Sequence, residues 1–495
     1  MTAIATRQLA RPSVLATGRG KLILALLCSI AFLDFVDASI TNVALPLIRD
    51  DLHLSVQGLQ WVPSGYLLTY GGFMLLGGRL ADLLGRRRIV AVGTALIGVS
   101  SLAGGLAQNE GMLVAARLAQ GLGAALMLPA ALSILTTTFT EPVDRQKALG
   151  VWGGVGGLAS AAGVLLGGVL TDGPGWRWVF FVNPPAAALV LVALFRLIDA
   201  DGPTRETRGF DLIGAVLATA GMLLLVFALV KAPDEGWGST ATVLRLIGAG
   251  VLLAAFVGKE AVARNPLLPL DIFRVRGLAA ADVTQLIAFA GFLAIFFFLT
   301  LYMQNVLGYS PIKTGAAYLP LCAAIAVSAG VTSQLISRIG TRPLIVVGAL
   351  ITSAGVYALS RIPVSGSFVS DLLPGLLIVA LGIGAVFVAT VTAANDGVPS
   401  DKAGLAAALL NASQQLGGAL GLAIFSAIAT ARTNHLLGQH DAAPHALTQG
   451  FQRALLVGSV FLLAAALFAV RSPNTRGQSS QPAPLDEPTL EGAQR

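Results

Sequence analysis

A chain of 495 residues that is 55% hydrophobic and only 12% charged, with a mean hydropathy of +0.79, has too little polar surface to fold with water on all sides; an ordinary soluble domain is about 25% charged. Its net charge of +7 is scattered through short loops, which points to membrane topology rather than to nucleic acid. Cys28 and Cys322 both fall in apolar runs, so no disulfide framework is implied.

A membrane-spanning helix needs about 20 mostly apolar residues. The first apolar run begins near Lys21 and is too long for a signal-peptide core, with no small-residue cleavage site after it. Fourteen spans are predicted. Six lie at 22–46, 58–82, 89–107, 111–136, 146–170 and 178–197, two at 211–230 and 242–262, and six at 278–303, 314–337, 342–361, 371–394, 404–429 and 450–470. An even count puts both termini on one side. With that side taken as cytoplasmic, 23 of the 32 Lys and Arg fall on it, 8 fall opposite, and Arg117 is embedded. Such a bias is the positive-inside pattern. Trp61, Trp176, Trp178 and Trp237 then sit near the outer interface.

An internal repeat divides the chain. Leu80, Gly85 and Arg87 after the second span match Leu335, Gly340 and Arg342 after the tenth at identical offsets. The spacing predicts an all-α polytopic membrane protein built of two six-helix bundles with two extra helices between them. Parallel six-helix repeats are one transporter layout. The expected divisions are a cytoplasmic tail at 1–20, bundles at 21–200 and 278–470, a linker with the two extra helices at 201–277, and a disordered polar cytoplasmic tail at 471–495.

Charges inside a span are costly and mark function by default. Asp34 and Asp37 lie three apart in the first span and so share a helix face. Asp37 is about 24 Å beyond Lys21, and Arg117 about 9 Å in from the opposite boundary, at 1.5 Å per residue. Both therefore fall in the outer half of a core about 30 Å thick, where an acid–base pair is geometrically possible. Burial favours the neutral form of a carboxyl and a nearby Arg the ionised form, so a change of access can move a proton. A static pair that only fixes packing is the competing reading. Asp282, near the start of the ninth span, reads as a solvated boundary residue.

Other candidates follow from the same logic. Gly78, Asp82, Gly85, Arg86 and Arg87 form a turn after the second span, where Arg86 and Arg87 are placed to pair with Glu141 and Asp144 as a gate latch. Asp82 would face the start of the thirteenth span near Lys402–Ala403. The glycines of the fifth span, Gly163, Gly167 and Gly168 among them, allow close packing or a hinge. Cavity candidates are Asn42, Trp61, Tyr66, Tyr70, Phe289, Phe292, Asn411, Gln414 and Gln415, whereas the Phe296–Phe298 run is expected to face lipid. His435, His440 and His445 read as solvated, with no metal site. Neither a nucleophile-elbow, zincin nor P-loop motif occurs, so the sequence supports no hydrolase or ATP-driven pump.

Gly78-x-Leu-Ala-Asp82-x-x-Gly85-Arg86-Arg87, Asp37-Ala-Ser-Ile-Thr-Asn42-Val-Ala-Leu-Pro46, Arg117-Leu-Ala-Gln120-Gly121 and Trp176-Arg-Trp178 through Asn183-x-Pro185 resemble the major facilitator superfamily, and more narrowly its fourteen-span drug:proton antiporters of the EmrB/QacA type. The likeness runs from about residue 22 to 470. It implies a major facilitator fold in the plasma membrane and a proton or substrate role for Asp37, with Arg117 in proton transfer and Gln120 beside it in the same motif. The fifth-helix antiporter motif is matched at Gly163, Gly167 and Gly168, with Val164 where the family has proline. The expected activity is proton-driven efflux of amphipathic organic compounds by a monomer without cofactors. Export of one metabolite, self-made antibiotic or lipid is the alternative, ahead of a receptor or scaffold.

Overall fold

The computed structural model describes residues 13–200, 211–263, 266, 268, 270–275, 277–396, 398 and 403–476. The side chain of Asp82, residue Lys402, and the tails at 1–12 and 477–495 lie outside them. Every regular element described is helical. In chain order these are α1 (Gly18–Leu52), α2 (Val56–Leu84), α3 (Arg86–Gly105), α4 (Glu110–Thr138), α5 (Pro142–Asp172), α6 (Trp178–Phe181), α7 (Asn183–Leu197), α8 (Leu212–Glu235) and α9 (Thr240–Val262). After a 3₁₀ turn at Leu270–Arg274 come α10 (Leu278–Asn305), α11 (Pro311–Ala317), α12 (Leu319–Ile339), α13 (Thr341–Leu359), α14 (Leu373–Asn395), α15 (Ala403–Gly438) and α16 (Ala443–Ala469).

Twelve helical stretches among the described residues are long and apolar enough to cross a membrane, and Ile213–Leu229 is a shorter apolar one. Their ends are closed locally. Thr17, Ser55, Asn109 and Ser310 each accept a backbone N–H of their own first turn, which satisfies donors that the helix itself cannot. Large apolar side chains left exposed, such as Leu158, Leu189 and Leu467, form the surface that lipid would cover.

Three expected spans are interrupted. The sixth breaks at Val182 between α6 and α7, the tenth at Tyr318 between α11 and α12, and the twelfth begins in a π turn at Phe368–Leu372. Each break lies just before Pro184, Pro320 or Pro374. A proline supplies no N–H to the helical ladder and its ring crowds the preceding turn. Hydropathy cannot register that interruption.

The repeat is present in the backbone. Gly85 joins α2 to α3 at φ 104°, and Gly340 joins α12 to α13 at φ 86°. Both angles lie where a side chain would clash, so each turn needs its glycine.

Within the first bundle α4 packs on α2 and α3, α1 on α5, and α3 on α7. Within the second, α14 packs on α12 and α13, α10 on α15 and α16, and α13 on α16. The bundles meet where α2 lies along α15 and where α5 meets α11. The second junction is at the end of the molecule opposite the termini. There a Cβ on Gly168 would come 2.7 Å from Ile312 Cα, and one on Gly315 2.6 Å from the Val164 carbonyl. Gln304 Nε2 also donates to the Val43 carbonyl at 2.9 Å. Of the two central helices, α8 packs on α2 and α15 and pairs with α9.

The Phe296–Phe298 run does not face lipid. Phe297 and Phe298 are fully buried and Phe296 packs against the same core. Two turns of α10 are enclosed by α15 and α16, so the helix has no lipid-facing stripe there, and local composition could not reveal this.

Candidate functional site

The embedded acids and Arg117 meet in the first bundle. Arg117 Nη1 lies 2.8 Å from Asp37 Oδ2, with the two residues 1% and 2% exposed. Asp37 Oδ1 accepts from Gln120 Nε2 at 2.9 Å and from Asn183 Nδ2 at 2.5 Å. Both amides also donate to Ser101 Oγ, at 2.7 and 3.2 Å. Arg117 completes the set by donating to Gln120 Oε1 at 2.9 Å and, through Nε, to the Val62 carbonyl at 3.0 Å. Four helices thus contribute to one closed network around α1. A charge pair can persist in the interior only when its remaining donors and acceptors are matched in this way.

Asp34, one turn nearer the termini, has a different environment. It accepts from Tyr66 Oη at 2.6 Å and Tyr70 Oη at 3.3 Å, both one turn apart on α2. Among the described residues no cation is paired with it. The Arg117 guanidinium stands over the Tyr66 ring, 4.4 Å from its centroid, so Tyr66 links the two acids.

Sequence reasoning placed Asp34, Asp37, Arg117 and Gln120 correctly in one region, and assigned Tyr66 and Tyr70 to a cavity without tying them to Asp34. It missed Ser101, and noted Asn183 without giving it a site role. The available signal for Asn183 was an amide inside an apolar stretch, just ahead of two prolines.

The remaining candidates are dispersed. Phe289 and Phe292 stack with Phe387 and Phe296 at 5.2–6.0 Å between ring centroids, an aromatic cluster of the second bundle. Trp61 instead packs on Phe227 of α8. It lines a groove of about 840 Å³ between α2, α4 and α8, with Leu118 and Leu223. The side-chain amides of Asn42 and Asn411 donate to carbonyls of their own helices, Ala38 and Ala407. Gln415 lies across from Gly71, where α15 meets α2, and Gln414 is half-buried on the same helix. Gly163 and Gly167 bring α5 onto the backbone of α1 at Val36 and Ile40. His445 pairs with Asp441, and His435 lies beside Gln439.

At the end bearing the termini, Arg86 donates to Thr137 Oγ1 at 2.9 Å and Arg87 to the Phe195 carbonyl at 3.1 Å. Gly78 stands against Pro129 of α4. Glu141 caps the Asp144 amide, and Asp144 itself binds the N-terminal segment, through the Leu15 amide at 3.0 Å and the Ser13 hydroxyl at 2.8 Å. The expected partner of Asp144 was an arginine. Its position in the first turn of α5 turns it instead toward residues 13–15, which sequence distance concealed.

The Leu15 amide, and with it the Ser13 hydroxyl, hold the Asp144 carboxyl below the usual carboxylate range. A depressed value in the folded state means that this contact stabilises above the ordinary carboxylate value, about 3.9, and is lost as pH falls through the folded value. Limited proteolysis within Val14–Thr17 should therefore accelerate below about pH 4. Asp144→Asn should accelerate it at neutral pH. Equal cleavage of variant and wild type at pH 7 would refute the contact.

A chain of apolar helices enclosing a matched acid–base network defines a multi-pass membrane protein of the transporter class. It belongs to the Major Facilitator Superfamily, whose family model matches residues 27–422. It is 40% identical over 434 residues to the puromycin resistance protein pur8 of Streptomyces alboniger, covering 86% of this chain and 85% of that protein. It is 36% identical to the cephamycin export protein CmcT of Amycolatopsis lactamdurans (92% and 93% covered) and 36% identical to the lincomycin resistance protein of Streptomyces lincolnensis (92% of each). Among solved structures, a bacterial homolog of the human lysosomal transporter Spinster, inward-facing and occupied, superposes with a TM-score of 0.67 at 18% identity, covering 92% of this chain and 97% of that one. A D-xylose–proton symporter gives 0.62 at 16%, covering 93% and 99%. These two likenesses establish the fold. The chain is a multi-pass protein of the plasma membrane, and the relatives named are bacterial.

Proposed function

We propose that the protein exports amphipathic organic compounds, cationic or neutral, by alternating access, in exchange for protons. The observation that carries this reading is the charge count of the cluster. Two buried carboxyls, Asp34 and Asp37, stand against the single guanidinium of Arg117. The cluster is neutral only while one carboxyl holds a proton, and an uncompensated charge there would be costly. Asp37 is matched by Arg117 and two amides, whereas Asp34 meets only hydroxyls. On this reading Asp34 carries the exchangeable proton, and Asp37, Arg117 and Gln120 form the fixed counter-charge that senses it. A cationic substrate competes for the same negative charge.

The rest of the molecule fits this cycle. The relatives' names speak of resistance and export, which favours efflux over uptake, catalysis or a receptor role. At the cytoplasmic face the turn at Gly78–Arg87 is tied to α4 and α7 through Arg86 and Arg87, and Asp144 is tied to residues 13–15, so these contacts would hold that face in one state. Gly163, Gly167 and Gly168 would let α5 move against α1 and the second bundle. Adding α2, of 29 residues, and α8, of 24, to the twelve spanning helices makes fourteen spans, with both termini cytoplasmic and the chain acting as a monomer.

A second reading has its own support. Each of the three relatives named above carries a single antibiotic in its name, which favours a dedicated exporter over a multidrug pump. Inverted vesicles under an imposed proton gradient, offered a cationic dye and a panel of antibiotics, test both. Uptake of many compounds that stops when the gradient is collapsed is the multidrug antiport result. Uptake of one compound selects the dedicated exporter, and uptake indifferent to the gradient overturns proton coupling.

A further inference from the structure

Asp282, in the second turn of α10, is the exception among the embedded acids. It is only 7% exposed, and neither carboxyl oxygen has a hydrogen-bond partner. The expectation of a solvated boundary residue is therefore wrong. The residue is close to the helix start, but Leu278, Ala281, Ala406, Leu409, Leu410 and Ala394 form an apolar cluster around that start. One turn on, Gln285 is 2% exposed and its Oε1 is likewise unpartnered. Residues three apart on a helix stand side by side. Thr390 of α14, fully buried, also has a hydroxyl without a partner. It shares a helix face with Phe387, which touches Phe289 and Phe292, and with Ala394, which packs near Leu278 and Ala281. Since α14 runs antiparallel to α10, Thr390 falls at the level of Gln285.

Asp282 and Gln285 thus present three buried acceptor oxygens, side by side on one helix, with no donor assigned to them, and the Thr390 hydroxyl near their level is unpartnered as well. Buried polar atoms in native proteins are almost always paired, and a lone buried carboxylate is among the costliest exceptions. One added proton removes the anomaly. It neutralises Asp282 and turns one oxygen into a donor for Gln285 Oε1. We propose that Asp282 is a second proton-binding carboxyl, located in the second bundle and exchanging its proton with water at the end of the molecule that bears the termini. The step is a simple transfer: a hydronium ion gives its proton to Asp282 Oδ and leaves as water, and the reverse returns it.

The placement suits exchange. Asp282 is four residues past Leu278, about 6 Å along the helix, and Pro473 of the segment after α16 covers Gly277 just ahead of α10. Charged groups on the surrounding elements are Asp271 and Arg274 in the 3₁₀ turn, Asp396 at the end of α14 and Arg471 after α16. None of them is a hydrogen-bond partner of the Asp282 carboxyl. Arg276, Asp401 and Lys402 lie outside the described residues. The acids of the first bundle are engaged with Arg117 and the tyrosines, so Asp282 is separate from that network.

A role for that proton in transport rests on the antiport reading above; the proton binding does not. Infrared difference spectra of the purified, reconstituted protein, recorded between acid and alkaline buffer without substrate, read the proton directly. The wild type should show a protonated-carboxyl C=O band that is missing from Asp282→Asn and retained in Asp34→Asn. Asp282→Glu should shift the band rather than remove it, which covers the case in which the Asn variant folds poorly. A band unchanged in Asp282→Asn overturns the site. Protons released per substrate moved are then counted in vesicles, where Asp282→Asn is expected to release one fewer. An unchanged count would overturn its place in exchange. Failure of the wild type to couple transport to the gradient would refute antiport and leave the infrared result standing.

Discussion

Asp37→Ala should destabilise the protein by about 3–5 kcal/mol and abolish transport, because it leaves the Arg117 guanidinium buried without a counter-charge. Gln120 and Asn183 would lose their shared acceptor at the same time. Thermal unfolding of the detergent-purified protein reads the first effect and vesicle transport the second. The double replacement Asp37→Ala with Arg117→Met removes both charges, and should recover most of the stability, since a buried pair is often no better than an apolar one. It should not recover transport. Wild-type transport by the double variant would reduce the pair to a packing device.

Asp34→Asn should behave in the opposite way. Asn keeps the shape and an acceptor for Tyr66, so the fold should survive with little change in unfolding temperature. It cannot release a proton. Gradient-driven transport should fall by about tenfold or more, in line with losing a group that transfers protons, while substrate binding loses its dependence on pH. Downhill movement of substrate without a gradient should persist. If Asp34→Asn still accumulates substrate against its gradient, the coupling proton is carried by Asp37 or Asp282 and not by Asp34; the same measurement on Asp34→Asn combined with Asp282→Asn separates the two.

The contrast between these variants was only partly legible beforehand. The spacing of Asp34 and Asp37, and the depth of Arg117 counted from the other boundary, were enough to bring acid and base into one layer, because helical rise converts residue number into depth. Rotation about each helix axis is set by packing with neighbours. Without it, Asp34 could not be assigned to Tyr66 and Tyr70, or Asp37 to Gln120 and Asn183. Asp282 illustrates the same limit: its distance from the span boundary suggested water, but the elements packed around the start of α10 close it off. Phe297 and Phe298 were misjudged for the same reason, since an apolar side chain is equally compatible with lipid and with a neighbouring helix.

The sequence by itself determined that this is an all-helical membrane protein with a repeated glycine-centred turn, and it determined where along the chain most of the long apolar helices lie. Length, hydropathy and the glycine needed at positive φ are local properties of the chain, and the membrane enforces them through the cost of unpaired backbone groups. Only the tertiary structure decided which charges are paired, which carboxyl stands alone and where the two bundles touch. Those outcomes depend on how helices far apart in sequence rotate and pack together, and hydrocarbon, being as apolar as the helix surfaces, does not dictate that arrangement.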